Sequence, residues 1–170
     1  MSPVYLHLLV NQFPVAATVM GVAMLAYAVA RGNEGLTRTS LGLFVAAALA
    51  ATGTFVTGRR AAGGLDGMPG VSRALIDQHH ALARIATLAL AALAAASVVA
   101  LAASRGRRLP RRVAVFLLVL SLGPAVALVW TATRGGRIRH PELRPGVEAP
   151  SGAGRRVPAA HAEEVGVYEP

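Results

Sequence analysis

The chain is predicted to be all-α, an antiparallel up-down bundle of four transmembrane helices, and three observations predict it. First, four charge-free apolar stretches, Leu8–Ala30, Thr39–Gly58, Ile85–Ser104 and Val113–Thr133, recur along the 170 residues. Each has about the twenty residues that a helix needs to cross the hydrocarbon core of a bilayer. Second, 54% of residues are apolar and only 15% charged, and the apolar ones come in blocks. A soluble bundle keeps a polar stripe on every helix, yet Ile85–Ser104 offers only Thr87, Ser97 and Ser104. Third, the ends of the stretches alternate in character. With four crossings, His7, His79, His80 and His140 share one face, and the opposite face receives no histidine.

The helices are expected at about residues 4–30, 39–58, 74–104 and 112–134, with residues 1–140 as the membrane domain. In the first helix Pro14 removes a backbone donor, which implies a kink or a local opening. Asn11 and Gln12 beside it are the best intramembrane polar pair to satisfy the freed group. The first span is not read as a cleaved signal, because no basic residue precedes it and its apolar run is long. Tyr5 and Tyr27 suit the membrane interface at its two ends.

Helix two follows the turn cluster Arg31-Gly32-Asn33 and is rich in alanine, with Gly42 and Gly53. Helix three is richer still. Small residues allow the close backbone approach that holds helices together in lipid, and threonine hydroxyls are expected to bond back to their own helix. Ser72 is placed as an N-cap, so helix three extends past the membrane surface and carries His79 and His80 outward. Helix four holds Gly123-Pro124, a second expected kink, and Trp130 as an interfacial anchor. Gly135-Gly136 is expected to let the chain turn back across the bundle mouth. Pro141, Pro145, Pro150, Pro158 and Pro170 then punctuate a polar tail, residues 141–170, expected to be disordered or draped over the histidine face.

The formal net charge is +9, and every basic residue among the seventeen is arginine. Most arginines lie in short loops flanking the spans, which argues for a lipid bilayer rather than nucleic acid as partner. Arg105, Arg107, Arg108, Arg111 and Arg112 crowd one connection, consistent with contact to anionic lipid. This bias places the histidine-poor face in the cytoplasm and both termini outside a bacterial inner membrane. With no cysteine, disulfides, iron–sulfur clusters and thiolate chemistry are excluded.

Imidazole is the commonest side-chain ligand for zinc, copper and haem iron. Candidate cofactor-binding residues are His7, His79, His80, His140, Arg84 and Asn11. For a metal ion the candidates are His7, His79, His140, Asp77 and Glu142, the acids completing the site or fixing a tautomer. Arg84 shares a helix face with His80 and Asp77 and suits a haem propionate or a lipid phosphate. Histidines at helix ends also serve simply by bonding carbonyls or headgroups, and an arginine there snorkels. No catalytic residue is assigned.

The segments His7-Leu8-Leu9-Val10-Asn11-Gln12-Phe13-Pro14, Pro69-Gly70-Val71-Ser72 with Ile76-Asp77-Gln78-His79-His80, and Gly135-Gly136-Arg137-Ile138-Arg139-His140-Pro141-Glu142 carry a likeness. Over about residues 5–143 the chain resembles a family of small uncharacterised bacterial four-helix membrane proteins. The resemblance implies a shared bundle and favours His7, His79 and His140. It departs at Gln12, where the family often has histidine, which removes one ligand.

Two functions compete. One is a protein binding haem b or a Zn, Cu or Fe ion at the histidine face, passing electrons to a quinone or an external redox partner. The other is a cofactor-free accessory subunit packing against other membrane subunits. A metal-dependent hydrolase ranks last, since no HExxH spacing occurs.

Overall fold

The computed structural model describes residues 2–64 and 72–139, so His140, Glu142 and the tail lie outside the described residues. These residues form five helices: α1 (Pro3–Val10), α2 (Gln12–Arg31), α3 (Glu34–Gly63), α4 (Arg73–Ala103) and α5 (Arg111–Arg139). Taking α1 and α2 together, four helical stretches are long and apolar enough to cross a membrane. Contacts run α2 to α3, α3 to α4, α4 to α5 and back from α5 to α2, closing a ring, while α1 packs on α3.

All four helical stretches overrun the charge-free windows, and two of them begin at side-chain caps. The Ser2 hydroxyl accepts from the Tyr5 amide at 3.2 Å, and Pro3 starts the helix where a missing amide costs nothing. The Asn33 side chain accepts from the Leu36 amide at 3.0 Å, so α3 begins five residues before Thr39. Gly32, with φ of 63°, makes the left-handed turn that separates it from α2. Ser72 occupies the N-cap position of α4 with an extended backbone, but its side chain makes no capping bond.

The local opening expected of Pro14 forms three residues before it, where the first helix is interrupted at Asn11. Pro14 has no amide for the Val10 carbonyl, and the Thr54 hydroxyl of α3 donates to that carbonyl at 3.3 Å. Thr54, rather than Asn11 or Gln12, therefore satisfies the freed group. At the other end of the chain, α5 runs unbroken through Pro124 and through Gly135-Gly136 to Arg139. The helix holds at the two glycines, where Gly135 is used for packing, and the rest of the segment expected to turn back, His140 to Glu142, lies outside the described residues.

Leu25, Leu41, Phe44, Leu90, Leu93 and Leu117 form the fully buried centre. Gly21 makes room for Phe44, since a Cβ there would stand 2.6 Å from its ring. Large apolar side chains also cover the outside, among them Leu49, Ile85, Val99, Phe116 and Trp130. Buried hydroxyls bond back to their own helices, as with Thr18 to the Pro14 carbonyl at 2.7 Å and Ser97 to the Leu93 carbonyl at 2.8 Å. Among the described residues no buried side-chain nitrogen or oxygen lacks a partner.

The α4–α5 connection is held by the first turns of α3. Arg38 pairs with Glu34 at 2.8 Å and donates to the Ser104 and Arg107 carbonyls at 2.8 and 2.7 Å. The Glu34 carboxylate in turn accepts from the Leu109 amide at 3.2 Å. Charged donors and acceptors make these the stronger kind of hydrogen bond.

Candidate functional site

The site lies at the other end of α3. The His7 imidazole is half-buried and packs with its Cε1 side against Gly58, where an added Cβ would meet Cε1 at 2.9 Å and Nδ1 at 3.2 Å. Its Nδ1 donates to the Thr54 carbonyl at 3.1 Å, and the Thr57 hydroxyl, which itself donates to that carbonyl, stands 3.4 Å away. Thr54 and Gly58 are one helical turn apart. The turn offers a carbonyl above and a bare Cα below, and the imidazole fills the gap.

The same arrangement recurs with different residues. His79, also half-buried, packs on Gly135, where a Cβ would meet Cε1 at 3.0 Å and Nδ1 at 3.3 Å. Its Nδ1 donates to the Thr131 carbonyl at 3.1 Å. Thr131 and Gly135 are again one turn apart. Each histidine thus reads a Thr-x-x-x-Gly turn on a neighbouring helix, α3 for His7 and α5 for His79.

A carbonyl oxygen only accepts, so in both rings the proton sits on Nδ1 and the lone pair on Nε2. No described residue hydrogen-bonds to either Nε2. An imidazole held in this way has its tautomer and ring orientation fixed, the usual support for a ligating histidine. The His80 ring lies 6.1 Å from that of His79, tilted by 45°.

The remaining candidates separate from this pair. Asp77 and Arg84 are exposed. Asn11 is half-buried and serves as the C-cap of α1, its amide donating to the His7 carbonyl at 3.0 Å. Gln78, also exposed, accepts from Arg134 at 3.0 Å, and that guanidinium stacks 5.9 Å over the Trp130 ring. Among the described residues, no three His, Asp or Glu side chains are placed to hold one metal ion. The other two residues of the expected metal set, His140 and Glu142, lie outside the described residues. Comparison with protein-family models, curated proteins and solved structures finds no match to this chain.

The sequence reading missed Thr54, Gly58, Thr131 and Gly135. The signal was there to find: Thr54-Phe55-Val56-Thr57-Gly58 and Thr131-Ala132-Thr133-Arg134-Gly135 close the second and fourth apolar stretches alike.

Proposed function

We propose that the protein is a multi-pass protein of a bacterial inner membrane, packed up-down, that binds one haem b at its histidine end. Its task on this reading is electron transfer to a quinone or to an external partner on the same face. The supporting observation is the pair of Nδ1–H···O=C bonds from His7 and His79, which leave two oriented Nε2 lone pairs. A haem iron takes one or two protein ligands, whereas a structural or catalytic zinc takes three or four. When bound, the haem supplies a one-electron couple; the chain supplies ligands, orientation and an apolar surround.

The test is an optical spectrum of detergent-purified protein, oxidised and dithionite-reduced, with metal analysis of the same sample. A reduced b-type band is the expected result. A colourless, metal-free protein after expression with ample haem and metal would overturn the reading. In that event the imidazole bonds, which both cross between helices, would serve as pins in a cofactor-free accessory subunit.

A further inference from the structure

The two histidine contacts belong to a wider correspondence. When His7 is laid on His79, the last residues of α2 and α4, Arg31 and Ala103, coincide without any gap. Every buried position of α2 then falls on a buried position of α4, for example Thr18 on Leu90, Leu25 on Ser97 and Ala28 on Ala100. A second constant offset lays Thr54 on Thr131 and Gly58 on Gly135. It also brings the first residues of α3 and α5, Glu34 and Arg111, together. Phe44 then meets Ser121, Ala51 meets Leu128 and Ala61 meets Ile138, buried on buried. The two offsets differ only by the longer α4–α5 connection. Both connections carry a left-handed glycine, Gly32 with φ of 63° and Gly106 with φ of 72°.

The packing has the matching symmetry. Exchanging α2 with α4 and α3 with α5 turns the α3–α4 contact into the α5–α2 contact, and these are the two contacts that join the pairs. We infer that residues 3–63 and 73–139 are two copies of one helix-pair unit about an approximate two-fold axis, and that His7 and His79 are equivalent ligands, one from each copy, to a single metalloporphyrin on that axis. If one porphyrin is bound on that axis, His7 and His79 would be the two residues that hold its iron, one from each copy. His80 falls on Leu8 in this correspondence and has no counterpart, which assigns it no ligand role.

This inference rests on the haem reading and is tested so that the two can fail separately. Purified protein in detergent is titrated with hemin, and spin state and affinity are read from the absorption spectrum. Wild type is expected to take up one equivalent as a low-spin, six-coordinate species. His7→Ala and His79→Ala are each expected to give a high-spin species with a similar loss of affinity, at least tenfold. Added imidazole should restore the low-spin spectrum in both, which a merely misfolded variant would not show. His80→Ala and His140→Ala should stay low-spin. Loss of the low-spin form in His80→Ala or His140→Ala, with either His7→Ala or His79→Ala unaffected, would overturn the symmetric pair and leave a haem site standing. A wild type that takes up no hemin would overturn both.

Discussion

The first and second helix pairs hold their histidines identically, yet they differ one turn away. In the first pair the helix breaks at Asn11, and the Thr54 hydroxyl reaches across to the Val10 carbonyl. In the second, α4 is continuous, and the Thr131 hydroxyl bonds its own helix at Ala127, 2.7 Å away. The cause is one residue. Pro14 in the first pair corresponds to Ala86 in the second, and alanine keeps the amide that proline lacks. The imidazole contact is thus independent of helix continuity, while the use of the neighbouring hydroxyl is decided by backbone supply and demand.

The core differs in a complementary way. Phe44 packs on Gly21 in the first pair, and the corresponding positions of the second hold Ser121 and Leu93. Bulk has moved from one helix to the other with the register intact. Gly21→Leu forces a side chain into the Phe44 ring and is expected to destabilise the protein by about 1–3 kcal/mol or more, as overpacking does. Adding Phe44→Ser, which copies the second pair, should recover much of that loss. Thermal unfolding in detergent, followed by circular dichroism, measures both. Failure of the second change to help would break the correspondence of the two cores.

Gly58→Ala and Gly135→Ala come next. Each new methyl meets an imidazole at 2.9 to 3.0 Å, so the ring must shift, at a cost of about 1–2 kcal/mol. The two losses should agree closely by the same unfolding measurement. A large loss at one site beside none at the other would show that the histidine contacts are not alike. Thr54→Val removes a hydrogen bond between helices and is expected to cost about 0.5–1.5 kcal/mol. Thr131→Val removes only a bond within α5 and should cost less. The smallest effect on global stability belongs to Pro14→Ala, which returns an amide to Val10. Its signature is slower hydrogen exchange at residues 11–13, and in that background Thr54→Val should become as mild as Thr131→Val.

The helices themselves were legible because length and apolarity alone determine what can fill a bilayer. Their ends were less so: Arg38 and Arg59 interrupt the charge-free windows, but the helix continues past both to the Asn33 cap and to Gly63. His7 and His79 stood out as residues. Their partners did not, because an imidazole–carbonyl bond between helices depends on rotation and register that no single stretch encodes. Gly135 illustrates the difficulty, since glycine reads equally as a turn and as a seat for a ring. The helix-pair correspondence was hidden by compensation: Leu25 opposite Ser97 and Phe44 opposite Ser121 preserve volume while erasing likeness. Glu34 was visible only as a charge, because its partner amide, Leu109, lies in a distant connection.

That Glu34–Arg38 grip has a mechanical meaning. The two helix pairs are joined by the chain where α3 leads toward α4, and the grip ties them again where α3 begins. A body hinged at one end swings; one fastened at both ends does not. The motion resisted is the scissoring of one pair against the other, the motion that would spread His7 from His79. On the haem proposal, ligands that hold still while the charge changes would leave little nuclear rearrangement to wait for, and electron exchange would then depend mainly on distance and driving force.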